Sequence, residues 1–153
     1  MPMKIISGGQ TGADRAALDA AMGLGVPVGG SCPAGRQAED GPIDERYPLQ
    51  VITGGYRQRT RKNVEDADAS VIFYSGMPTG GTALTIGFCI KSKRPFKLFD
   101  RELVPAELAS ASLRKFMKEH NVKVLNVAGP RASGDPDVYD YTFKVITGLL
   151  PMR

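Results

Sequence analysis

The chain of 153 residues has no tryptophan, one histidine and two cysteines, Cys32 and Cys89. Two thiols so far apart, outside any C-x-x-C pair, argue against a disulfide framework, and a lone histidine leaves too few ligands for a zinc site of ordinary composition. Ser7 and Ser75 have no evident histidine base, so triad hydrolysis has no support. No apolar run is long enough to span a bilayer, and Met1-Pro2-Met3-Lys4 leads into no signal-peptide core. The expectation is a cytoplasmic protein without a membrane partner.

Charge of one sign is also in short supply. Twenty Lys and Arg against sixteen Asp and Glu give a net charge of +4. The basic residues are interspersed with acids, apart from a denser run at Arg57, Arg59, Arg61 and Lys62. No aromatic-interleaved basic stripe accompanies that run. The balance therefore favours a small anionic ligand over nucleic acid. What the chain has in excess is glycine, 18 residues without repeat or low-complexity tract. This exceeds the usual frequency of about 7% and implies many tight turns or close backbone approaches. Length and an apolar share of 42% fit one domain over residues 1–153.

Short apolar runs alternate with segments of helical period, the pattern of β-α-β units around a parallel sheet. Strands are predicted at 4–7, 26–28, 70–74, 96–99 and 123–127. Helices are predicted at 11–23, 56–67, 82–91 and 106–120, with a last helix opened by Asp135-Pro136 as N-cap and first residue. Thr11 followed three residues later by Asp14 reads as an N-cap pair. Residues 29–47 carry glycine, proline and charge without periodicity and read as one long loop. The fold class is thus α/β, a Rossmann-like, doubly wound, mostly parallel sheet of five to six strands with helices on both faces.

Three strands end in similar punctuation: Ser7-Gly8-Gly9-Gln10-Thr11-Gly12, Ser75-Gly76-Met77-Pro78-Thr79-Gly80-Gly81-Thr82, and Ala128-Gly129-Pro130-Arg131-Ala132-Ser133. In a parallel sheet these loops converge at one edge, each handing over to a helix N-terminus. Such ends offer free N–H groups and a positive dipole, and glycine lets the backbone approach an oxyanion. Thr11, Thr82 and Ser133 add hydroxyls, and Arg131 adds a guanidinium fork for phosphate. Plain turn roles for the glycines and a plain capping role for Thr11 and Asp14 stay open beside this reading. The first loop is not a Walker A loop, because Gly12 is followed by Ala13-Asp14. It also lacks G-x-G-x-x-G spacing, and the second strand ends in Gly29-Gly30 rather than an acid for a ribose.

Several stretches, in order along the chain, resemble one family. They are Gly8-Gly9-Gln10-Thr11-Gly12-Ala13-Asp14-Arg15-Ala16-Ala17-Leu18-Asp19, Cys32-Pro33-Ala34-Gly35-Arg36, Ala38-Glu39-Asp40-Gly41, Arg59-Thr60, Asn63-Val64, Gly80-Gly81-Thr82 and Val127-Ala128-Gly129-Pro130-Arg131. Together they resemble the putative molybdenum carrier proteins, a circularly permuted branch of the Rossmann-like group that contains the lysine-decarboxylase-like, or LOG, proteins. The resemblance implies a Rossmann-like fold, homo-oligomers (dimer or tetramer), and binding of molybdenum cofactor or a related phosphorylated pterin or nucleotide. Molybdoenzymes would then be the recipients.

The resemblance also brings Arg59, Thr60 and Asn63 into the candidate pocket, and makes Arg36, Glu39 and Asp40 a flap or subunit contact as readily as a solvated loop. The expected binding set is Gly8, Gly9, Gln10, Thr11, Gly12, Asp14, Arg59, Thr60, Asn63, Gly80, Gly81, Thr82, Gly129, Arg131 and Ser133, with no metal ligand and no catalytic residue. LOG phosphoribohydrolases carry P-G-G-x-G-T-x-x-E, whereas here Thr85 stands at the acidic position. A hydroxyl cannot replace a carboxylate in glycosidic cleavage, so the enzymatic alternative needs another acid, Asp14 or Asp40. A ligand-dependent sensor or scaffold is the third reading.

Overall fold

The computed structural model describes residues 3–150. Five parallel strands, β1 (Lys4–Ile6), β2 (Val28–Gly29), β5 (Ala69–Tyr74), β6 (Phe96–Asp100) and β7 (Val124–Ala128), form one sheet in the order β2-β1-β7-β5-β6. Between β2 and β5 lie β3 (Ser31–Cys32) and β4 (Gln50–Val51), a separate parallel pair. The helices are α1 (Ala13–Gly23), α2 (Tyr56–Asp66), α3 (Gly80–Ser92), α4 (Ala106–Glu119) and α5 (Val138–Leu149). Helices α1, α4 and α5 pack together on one face of the sheet, and α2 and α3 on the other. The Rossmann-like α/β architecture read from the alternation is the one observed.

The strand sequences explain the two covered faces. β5 is apolar at nearly every position because both its faces are buried. Ala69, Val71 and Phe73 join the core beneath α1, α4 and α5, with Ile5, Leu113, Leu125 and Val127. Ile72 points the other way, to Val64, Phe88 and Cys89 under α2 and α3. Phe73 stacks on Phe99 at 6.1 Å and meets Tyr141 edge-on at 5.6 Å. Along α1 the buried positions are mostly alanine, which lets this helix lie close to α5 and the sheet. Cys32 and Cys89 are buried thiols in separate clusters.

Several local expectations are corrected. The second strand lies at Val28–Gly29 rather than 26–28, because only these residues pair with Ile5 and Ile6. The stretch 29–47 is not one unstructured loop. Gly29 belongs to β2, and Ser31 and Cys32 pair with Gln50 and Val51. Between them the Arg36 guanidinium donates to the carbonyls of Ile43, Asp44, Tyr47 and Leu49. Leu18, Cys32, Ile43, Tyr47 and Leu49 make a small core beneath it.

Thr11 does not cap α1. Gly12 takes the cap position, and no side chain caps the first N–H groups of the helix. Nor is Asp135 the cap of α5, which starts at Val138; its Oδ1 accepts the Asp137 N–H at 3.3 Å in a turn just ahead of the helix, and its Oδ2 accepts the Arg101 Nε–H at 2.8 Å. Of the apolar tail Leu149-Leu150-Pro151-Met152, the first two residues are buried, and Pro151 and Met152 lie outside the described residues.

Candidate functional site

The loops after β1 and β7 and the N-terminus of α3 meet beyond the C-terminal edge of the sheet. There the chain leaves β1 for one side and β5 for the other. That is where ligands bind in open α/β sheets. With one side of α2 they enclose a cavity of about 410 Å³. Its volume is in the range of small-molecule sites.

Nine of the expected residues line it: Gln10, Asp14, Arg59, Thr60, Gly81, Thr82, Gly129, Arg131 and Ser133. Thr60 and Arg59 reach it because α2 turns one face inward, with Tyr56, Arg59, Thr60 and Asn63 at i, i+3, i+4 and i+7. The N-terminus of α3 presents Gly81 and Thr82 to the space and has no side-chain cap, so its dipole faces the cavity unopposed.

The other six expected residues do not line it. A Cβ on Gly8 would lie 2.1 Å from Arg59 Nη1, so its bare backbone makes room for that guanidinium. Gly9 abuts Leu49 and Ile43 of the folded-over loop, and Gly12 the Pro130 carbonyl. Gly80 begins α3. The Asn63 carboxamide is turned away, accepting the Ser31 N–H at 2.8 Å and donating to the Ser31 carbonyl at 3.0 Å. The Thr11 hydroxyl donates to Glu39 at 2.6 Å and accepts the Ala132 N–H at 3.1 Å.

Glu39 forms a latch above the cavity rim. Besides Thr11, its carboxylate accepts the Ser133 hydroxyl at 2.6 Å and the Ser133 N–H at 3.1 Å. These bonds hold its carboxyl below the ordinary value of 4.5. Asp40, beside it, pairs with Arg15 at 2.5 Å and is likewise depressed. The loop containing Glu39 and Asp40 is thus clipped to the β1 and β7 loops by charge.

Inside, the dominant groups are two arginines and a buried acid. The Arg59 Nη1 lies 3.5 Å from Asp14 Oδ2, and that oxygen also accepts the Gln10 N–H at 3.3 Å. Burial pushes the Asp14 carboxyl above its ordinary 3.8, with Arg59, the Gln10 N–H, Arg131 and Arg15 pulling the other way. The guanidinium carbons of Arg131 and Arg59 lie 4.7 and 5.8 Å from the Tyr56 ring centre. Cation–π attraction at such distances fixes both cations against one aromatic plate.

Tyr56, Leu84, Thr85, Ala128 and Gly134 complete the lining and are not among the residues expected from the sequence. The helical spacing from Tyr56 to Arg59 and Thr60 was the available signal for the first. The Thr85 hydroxyl donates to the Gly81 carbonyl at 2.9 Å, so the LOG acidic position holds a group engaged within its own helix. Among the described residues no group of three or more His, Cys, Asp or Glu could hold a metal ion. Among the described residues no helix is long and apolar enough to cross a membrane.

An open parallel sheet with a cavity over its switch point, carrying charged and hydroxyl groups on a partly apolar lining, defines a Rossmann-like α/β architecture. The chain belongs to the circularly permutated YpsA SLOG family, whose model matches residues 5–150. It is similar to the crystal structure of a putative molybdenum carrier protein from Syntrophus aciditrophicus SB. The identity is 44% over 97% of this chain and 95% of that one, with a TM-score of 0.95. No curated protein matches the sequence.

Proposed function

We propose that this protein binds molybdenum cofactor, or a related phosphorylated pterin or nucleotide, in the cavity between α2, α3 and the β1 and β7 loops, and carries it without transforming it. The observation that supports this most is the pair of guanidiniums, Arg59 and Arg131, held against Tyr56 opposite the uncapped N-terminus of α3. Fixed cations and free helix N–H groups suit a phosphate or another oxyanion. The cavity also has buried polar groups, Gln10 and Asp14, suited to a heterocycle that carries N–H donors. The name of the similar protein from Syntrophus agrees with this ligand class.

Small molecules released from protein purified from a host that makes molybdenum cofactor, identified by mass spectrometry, test the reading. Stoichiometric pterin that is lost in Arg131→Ala is the expected result. A different nucleotide, or no released ligand, overturns the carrier assignment.

One observation favours an enzymatic second reading, since Asp14 is a buried acid with a raised pKa on a cavity wall. Asp40, the other acid considered, does not line the cavity. Free base released from nucleoside monophosphates, and abolished in Asp14→Asn, would support it over carriage.

Assembly into a dimer or tetramer, with molybdoenzymes as recipients, belongs to the same proposal. Exposed Leu98 on the outer strand β6, with Leu103 and Leu108 close behind in the chain, is the apolar surface that supports self-association. Light scattering tests it.

A further inference from the structure

Residues 37–42 form a flap with a closed neck. The Ile43 N–H donates to the Arg36 carbonyl at 2.7 Å, and the Arg36 guanidinium is fixed by carbonyls of residues 43–49. None of the six residues between these anchors is buried. Only Ala38 packs on the small core around Cys32 and Ile43. The other attachments are polar. Gln10 Nε2 donates to the Gln37 carbonyl at 2.8 Å, Arg15 pairs with Asp40, and Thr11 and Ser133 donate to Glu39. Segments with few buried apolar contacts open locally at low cost, here without breaking the neck. Gly41, at φ +108° with nothing within 4 Å of an added Cβ, leaves the tip room to swing.

Beneath the tip, three donors converge on the one Glu39 carboxylate. The hydroxyls of Thr11 and Ser133 each approach it to 2.6 Å, and the Ser133 N–H to 3.1 Å. These donors come from two loops, yet they are set side by side independently of Glu39, because the Ala132 N–H donates to the Thr11 hydroxyl oxygen at 3.1 Å. The Arg131 charge also pulls on the same carboxylate. Two hydroxyls, a main-chain N–H and a guanidinium are the donor set of a phosphate site. Arg131 and Ser133 line the cavity, so this cluster is continuous with it.

We propose that Thr11, Ser133 and Arg131 form an anion subsite at the cavity rim, that Glu39 fills it in the free protein as an internal stand-in, and that a ligand's phosphate takes it by pushing the 37–42 flap aside. This rests on the ligand-binding reading of the cavity and adds a subsite and a movement to it. Flap opening and phosphate binding are then one equilibrium. The phosphate binds the open form, and the displaced side chain carries its negative charge away from the arriving anion.

Inorganic phosphate is the probe, and the position of the flap is the first readout. Gln37→Cys and Lys144→Cys place nitroxide labels on the exposed flap and on an exposed position of α5, while Cys32 and Cys89 are buried and stay unlabelled. Pulsed EPR should give one distance in the free protein and a second, displaced population in saturating phosphate. With Glu39→Ala added, part of that displaced population should be present without phosphate. Phosphate that binds, by phosphorus NMR line broadening, while the label distance stays unchanged overturns the displacement. The second readout is affinity. In Glu39→Ala, where no carboxylate competes, adding Thr11→Ala or Ser133→Ala should weaken phosphate binding about tenfold, the effect of one lost hydrogen bond to a charged group. A change below twofold in both, or no phosphate binding by Glu39→Ala at all, overturns the subsite. Either failure leaves the cavity reading to the released-ligand experiment, which does not depend on the flap.

Discussion

The Glu39 carboxylate and Ser133, 94 positions apart in the chain, are joined by two hydrogen bonds, one from the serine hydroxyl and one from its backbone N–H. A protein carboxylate thus engages hydroxyl and amide groups of the kind that receive a ligand's oxyanion. It competes with any phosphate arriving beside Arg131. Glu39→Gln should therefore strengthen binding of inorganic phosphate and of nucleoside monophosphates by about three- to tenfold, the effect of removing one nearby exposed like charge. Titration of both proteins at one ionic strength decides it, and unchanged or weaker binding in the variant would show that the latch and the ligand do not compete. The latch's contribution to stability is present above the ordinary carboxyl value of 4.5 and is lost as pH falls through the depressed folded value.

Asp14 has the opposite sign. Its folded pKa is raised above 3.8, so in that window the folded protein keeps a proton that the unfolded chain releases. Its contribution to stability consequently falls as pH rises from 3.8 through the folded value. Urea unfolding of wild type and Asp14→Asn at successive pH values should show this downward component only in wild type. Parallel curves would mean that Asp14 titrates normally.

Asn63 holds the β3–β4 pair to α2 by mimicking a neighbouring strand toward Ser31. Truncation in Asn63→Ala strands a buried N–H and a buried carbonyl together. The expected loss is about 2–4 kcal/mol of unfolding free energy. A loss below half a kcal/mol in a urea titration would mean that the pair is held by something else.

Two glycine substitutions separate conformational need from mere smallness. Gly12 has φ of +82° and a Cβ there would come 2.4 Å from the Pro130 carbonyl oxygen, so Gly12→Ala should cost about 2 kcal/mol or more. Gly87, inside α3 with nothing within 4 Å of an added Cβ, should tolerate alanine and gain about 0.5–1 kcal/mol. Thermal melts of the two variants should move in opposite directions.

The sheet was legible because burial on both faces leaves a continuous apolar run such as Val71-Ile72-Phe73, and the small-residue period of α1 marks its packed side. The β3–β4 pair was not legible. Two-residue strands have no period, and Ser31 meets its pairing partner Gln50 only because Arg36 and Asn63 fold the intervening chain. Asp135-Pro136 is a sound local signal for a helix start, and Asp135 does accept the Asp137 N–H, yet the regular helix opens only at Val138 and the other carboxylate oxygen goes to Arg101, 34 positions earlier.

The cavity's position and nine of its lining residues could be read from the glycine-rich loops and the family resemblance. What Thr11, Gly8 and Asn63 do instead could not. Their partners, Glu39, Arg59 and Ser31, are set by tertiary approach rather than by spacing.

β7 comes last of the five sheet strands in chain order, yet it lies between β1 and β5. On a ribosome, which emits about 5–20 residues each second, β1 with β2 and β5 with β6 emerge as two half-sheets with no shared border. Each exposes a raw inner edge, the kind of surface that invites pairing with a neighbouring chain. Only when residues 124–128 arrive are both edges sealed in one step. The loop that follows them brings Arg131 and Ser133 to the cavity at the same moment, so a nascent chain cannot hold ligand in the finished site before its sheet is whole.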